Sequence, residues 1–108
     1  MAPNAPVTPA SMSAQQPKEF DLDLNDGHWL RYAQNDEDGK YGAEIIHRKP
    51  GGTLCVGFIS FDVPALRNVP LRVKWTVEKW EPLSLSPSLL CGCKQDHGFI
   101  REGKWVRA

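Results

Sequence analysis

Two cysteines and a histidine lie close together near the end of the chain, in the pattern Cys91-x-Cys93-x3-His97. Thiolate sulfur and imidazole nitrogen are the usual ligands of structural zinc, which four such groups surround as a tetrahedron. Cys91 and Cys93 are predicted to end one strand and His97 to begin the next, so a short turn would bring the three groups together. The spacing predicts one structural zinc ion with three visible ligands.

The fourth ligand is not marked by any spacing, and each candidate also has an ordinary structural role. The candidates are His47, Cys55, His28 and Asp96. His47 is the first choice because it is predicted at a strand end, close to where loops gather. Cys55 lies inside an apolar segment, where a free cysteine behaves as a small hydrophobic residue. A water molecule or a partner's side chain in the fourth position is a further alternative.

The same residues allow a simpler interpretation, in which two thiols lie in a turn beside a histidine that caps a strand. A zinc ion with an open position could also support a metal-dependent hydrolase. The zinc-enzyme signature His-Glu-x2-His and the nucleophile elbow Gly-x-Ser-x-Gly are both absent from the sequence. We therefore predict a non-enzymatic protein without catalytic residues.

The elements that must position these ligands are predicted to be β-strands. From residue 27 onward, short apolar segments alternate with turn signals every 8 to 12 residues, and no helical period is sustained. We expect a mainly β fold, a small antiparallel sheet or sandwich of about six to seven short strands with a zinc-knuckle-like C-terminal hairpin. Residues 53–61 are apolar on both faces, which favours a central strand.

The chain of 108 residues suits one domain. Residues 1–19 are rich in proline and nearly free of large apolar side chains, which predicts a flexible, extended arm. Residues 20–108 are expected to form the single β domain.

Composition narrows the partners and the compartment. The 13 basic and 13 acidic residues balance, and the basic residues are scattered, so nucleic acid is not an expected partner. No apolar run is long enough to span a bilayer, and the start of the chain lacks the features of a secretory signal. Of the four tryptophans, Trp80 and Trp105 are predicted to contact other protein chains, and no small-molecule substrate is indicated.

The last 34 residues carry a recurrent pattern. It consists of Trp75-Thr76-Val77, then Leu83-Ser84-Leu85-Ser86-Pro87-Ser88-Leu89-Leu90-Cys91, then His97-Gly98-Phe99-Ile100-Arg101-Glu102-Gly103-Lys104-Trp105. It resembles the tail of an uncharacterised family of small phage and bacterial proteins, some of which carry the label ammonia monooxygenase. Nothing in these residues supports an oxygenase. The family's metal-type positions map onto Cys91, Cys93 and His97.

The resemblance implies a phage or prophage origin. The favoured hypothesis is a virion component, such as a capsid decoration or accessory protein whose arm contacts neighbouring chains or copies of itself. Some bacterial relatives accompany ubiquitin-like conjugation genes, which leaves a second hypothesis of a zinc-binding interaction module in the host cytoplasm.

Overall fold

The computed structural model describes residues 16–70 and 73–108. Most of the predicted arm, residues 1–15, lies outside the described residues. Within them the chain forms nine strands and one turn of 3-10 helix at Pro64–Leu66. The strands are β1 (Leu22–Asn25), β2 (His28–Asn35), β3 (Gly39–Arg48), β4 (Leu54–Ser60), β5 (Thr76–Trp80), β6 (Leu83–Ser86), β7 (Leu89–Leu90), β8 (His97–Arg101) and β9 (Lys104–Arg107). The prediction of a mainly β fold is confirmed.

The strands form three antiparallel sheets. β1 to β4 follow one another in a four-stranded sheet, β5 pairs with β6, and β8 lies between β7 and β9 in a three-stranded sheet. The count exceeds the predicted six to seven for two reasons. Residues 22–25 pair with β2, and Pro87 lies between the two short strands β6 and β7, because proline has no N–H for the ladder.

One core joins the three sheets. Its buried members come from all of them, and they are Leu24, Leu30, Ala43, Ile45, Ile59, Phe61, Leu83, Leu85, Leu89, Ile100 and Trp105. The contact within the three-stranded sheet is especially close at Gly98, where an added Cβ would lie 2.6 Å from the ring of Trp105. Only glycine leaves room for this tryptophan, which in turn packs against the site described below.

The segment predicted as a central strand is at an edge. β4 pairs with β3 on one side. Among the described residues no strand pairs with its other side, and just beyond its end a single bridge joins Phe61 to Trp75. Its apolar residues on the second face, Val56 and Phe58, are 57% and 55% exposed. Apolar residues on both faces therefore mark an exposed surface here rather than a second layer of core.

No helix in the described parts of the chain is long and apolar enough to cross a membrane.

Candidate metal centre

Three neighbouring strands place His28, His47 and Cys55 in one row. His47 on β3 lies opposite His28 on β2 and opposite Cys55 on β4 in the antiparallel register. Residues directly opposite one another in such a ladder point to the same face of the sheet. The row therefore presents two imidazoles and one thiol on a single face, and both histidines are buried.

The turn between β3 and β4 sets this register. The Lys49 N–H donates to the Thr53 carbonyl over 2.8 Å, and the Gly52 N–H donates to the Lys49 carbonyl over 2.8 Å. Gly52 has a φ of 92°, a left-handed conformation that glycine adopts without steric cost. With the turn closed in this way, the strands that leave it bring His47 and Cys55 into opposition.

The turn between β7 and β8 supplies the other two thiols. The Cys91 N–H donates to the Asp96 carbonyl over 2.9 Å, and the Lys94 N–H donates to the Cys91 carbonyl over 2.8 Å. These bonds fold residues 91–96 into a compact loop over the row of the sheet. Cys91 and Cys93 thus reach the same point as His47 and Cys55.

Two of the distances between the four ligand atoms match the edges of a tetrahedral metal site. The Sγ atoms of Cys55 and Cys91 are 3.5 Å apart, and the Cys93 Sγ lies 3.5 Å from His47 Nε2. All four atoms lie within 4.8 Å of one another. A zinc ion with bonds of about 2.3 Å to sulfur and about 2.0 Å to nitrogen would require edges of roughly 3.5–3.8 Å. His47, Cys55, Cys91 and Cys93 therefore form a candidate metal site.

The thiols at this site are in unequal electrostatic settings. Burial raises the pKa of Cys91 to about 11, so this thiol keeps its proton at neutral pH while no cation is near. The backbone N–H of Gln95 lowers the pKa of Cys93, because it stabilises the thiolate. A bound divalent cation would displace both protons, since only thiolates ligate metals.

The structure brings three of the four sequence-predicted ligands together and leaves His97 outside the group. His97 begins β8, and its Nε2 lies 3.0 Å from the Ser88 hydroxyl on the exposed surface. Side chains alternate along a strand, and the buried neighbours Gly98 and Ile100 leave His97 on the outer side. Cys55 completes the group in its place. A metal here would join two sheets, whereas Cys91, Cys93 and His97 alone would have stapled only the last hairpin.

The sequence places Cys55 among the candidates for the fourth ligand, but its apolar segment favours a hydrophobic role. The signal that favours it as a ligand is the hairpin register, since a turn centred on Gly51 pairs residue 47 with residue 55. Strand pairing, and not local composition, thus carries the information about this ligand.

The two predicted contact tryptophans lie in different environments. Trp80 is 42% exposed, and its ring packs on Phe61 with 5.6 Å between the ring centroids. Trp105 is buried and stacks on His28 with ring centroids 4.0 Å apart. Because its ring fills the space over Gly98, Trp105 supports the core and the metal centre rather than a surface contact.

A second group of metal-type side chains adjoins the first and shares His47 with it. It contains His28 and Asp96 as the other members. Asp96 Oδ2 lies 2.7 Å from His28 Nε2 and 4.0 Å from His47 Nδ1. The two nitrogens of His47 thus face different groups, sulfur on one side and a carboxylate on the other.

Comparison with known proteins finds no matching family model, no similar curated protein and no similar solved structure.

Proposed function

We propose that this chain is a non-enzymatic protein whose β fold is stapled by one structural zinc ion at His47, Cys55, Cys91 and Cys93. The observation that carries the proposal is the convergence of three thiols and one imidazole within 4.8 Å. Three soft sulfur ligands and one nitrogen are a common structural zinc set, whereas magnesium and calcium prefer oxygen. The ion would tie β3 and β4 to the turn that precedes β8.

The ligand count favours a structural role over a hydrolase. Catalytic zinc keeps an open position for water or substrate, whereas structural zinc is closed by four protein ligands. The four side chains here would occupy every position of the tetrahedron. No position is then left for a reacting water molecule.

Metal analysis of the purified protein tests this proposal. We expect about one equivalent of zinc per chain, and Cys93→Ser should reduce the zinc content because one thiolate ligand is lost. Metal content is measured by mass spectrometry of the native protein and by elemental analysis. A wild-type chain purified with zinc present that contains no metal would contradict the zinc staple.

The protein surface near the site supports a role in protein contacts. Val56 and Phe58 on β4 and Leu90 on β7 are each more than half exposed, although all three are large and apolar. A cavity of about 220 Å³ lies between these two strands, beside Cys91, and Phe58 and Leu90 both line it. Two of these residues, Phe58 and Leu90, therefore border one cavity, and exposed apolar residues that gather in one place mark interaction surfaces more often than isolated ones do.

The proposed partner is a virion protein, and the proposed role is that of a capsid decoration or accessory protein. This part of the proposal combines the apolar surface with the family resemblance of residues 75–108. Under this proposal the zinc staple would hold β4 and β7 at a fixed separation, so that the surface keeps its shape while it is bound.

Mass spectrometry of purified virions tests the virion role. We expect the chain in the particles, and we expect Phe58→Asp to reduce its incorporation because a charge is placed in the apolar surface. Val106→Asp is the matched control, since Val106 is exposed on β9, at the other edge of its sheet from β7. Absence of the wild-type chain from virions would overturn the virion role and leave a zinc module acting in the host cytoplasm.

A further inference from the structure

Asp96 lies behind the metal centre, on the side of His47 that faces away from the thiols. Its carboxylate is largely buried, with the side chain 13% exposed, and Oδ2 is 4.0 Å from His47 Nδ1. On the opposite side of the same ring, Nε2 is 3.5 Å from the Cys93 sulfur. A histidine that ligates through Nε2 in its neutral form must carry its proton on Nδ1. The nearest carboxylate to that proton is Asp96.

The position of Asp96 is determined by contacts at both its main chain and its side chain. Its carbonyl accepts the Cys91 N–H over 2.9 Å, which ties it to a ligand of the proposed site. Its Oδ2 is 2.7 Å from His28 Nε2, and His28 Nδ1 is 2.7 Å from the Asp26 carbonyl. The buried His28 ring is also stacked on Trp105. The ring of His28 is therefore held in place, and so is the Asp96 carboxylate that it contacts.

Both ring nitrogens of His28 have polar partners. One of its nitrogens faces a carbonyl, which can only accept a hydrogen bond, and the other faces the Asp96 carboxylate. These two contacts fix the plane of the His28 ring, and the ring in turn fixes the direction in which the Asp96 carboxylate points.

From these contacts we infer that Asp96 is a positioning residue of the metal centre, and the inference rests on the proposed zinc function. Asp96, held by His28, attracts the Nδ1 proton of His47 and so presents Nε2 to the ion. The 4.0 Å separation is longer than a hydrogen bond, so a small rotation of the His47 ring or one bridging water completes the contact. Carboxylates that orient metal-bound histidines in this way typically contribute about 10–100-fold to metal affinity.

Competition between the protein and a zinc chelator tests this inference. Asp96→Ala should weaken zinc binding by about 10–100-fold, because the orientation of His47 is lost. Gln95→Ala keeps the backbone N–H that faces Cys93 and removes only an exposed side chain of the same turn, so it is the matched control and should bind zinc as the wild type does. Asp96→Asn keeps the size and one acceptor oxygen, and should show a smaller loss. It serves as the test variant if Asp96→Ala does not fold.

Nitrogen-15 NMR of the histidine rings in the zinc-loaded protein separates positioning from general stability. In the wild type we expect His47 to hold its proton on Nδ1 with slow solvent exchange, and in the Asp96 variants we expect that proton to exchange faster. Equal zinc affinity and equal exchange in the wild type and the Asp96 variants would overturn the inference. A wild type that binds no zinc would overturn the proposed function instead, so the two failures are distinguishable.

Discussion

Replacement of Cys55 by serine should remove most of the zinc from the purified protein, although residue 55 lies 36 positions before the nearest cysteine ligand in the chain. Its Sγ is 3.5 Å from that of Cys91, and serine offers a hard hydroxyl where the site requires a soft thiolate. The loss of affinity should exceed the roughly 10–100-fold typical of an outer-shell residue. Chelator competition and elemental analysis measure it.

His97→Gln is the matched control for that experiment. The sequence pattern predicts that His97 is a ligand. The structure instead places its Nε2 against the Ser88 hydroxyl, outside the four-residue group. We therefore expect the glutamine variant to keep the wild-type zinc content. If zinc is lost from His97→Gln and retained by Cys55→Ser, the ligand set proposed from the structure is contradicted.

Removal of the metal should lower the melting temperature strongly. An ion that binds only the folded chain stabilises it, and at a free concentration about 1,000 times Kd this linkage contributes roughly 4 kcal/mol. For a domain of this size, about 4–8 °C per kcal/mol then predicts a fall of roughly 15–30 °C on chelation. Calorimetry or circular dichroism with and without a chelator measures the shift.

The Cys55→Ser variant provides the control for this second experiment. Because it should already lack zinc, chelator should leave its melting temperature nearly unchanged, and zinc added back should raise only that of the wild type. Equal melting temperatures of loaded and stripped wild type would show that the ion does not staple the fold. The same outcome would remove the reason for the proposed rigid separation of β4 and β7.

Local patterns were sufficient to predict the fold class. The short apolar segments and turn signals from residue 27 onward predicted a mainly β chain, and β2 to β9 form there. Turn chemistry and alternation are properties of a few adjacent residues, so they can be recognised without knowledge of the rest of the chain. Cys91 and Cys93 were identified for the same reason, since their spacing is itself the signal.

Tertiary packing decided the two features that local patterns left open or assigned differently. The apolar face of β4 was expected to be covered, yet it lies at a sheet edge, because the order of strands is not encoded in the hydrophobicity of any single strand. The buried position of Trp105 likewise depends on the absence of a side chain at Gly98 on the adjacent strand.

The cysteine pair near the end of the chain could be identified from the sequence alone, and it already indicated a metal site. Only the folded chain determined what completes that centre. Cys55 joins the site because the β3–β4 register sets it beside His47, and His97 is excluded because strand alternation turns it outward. Ligand type is a property of residues, whereas ligand geometry depends on which distant strands pair and on which face each side chain lies.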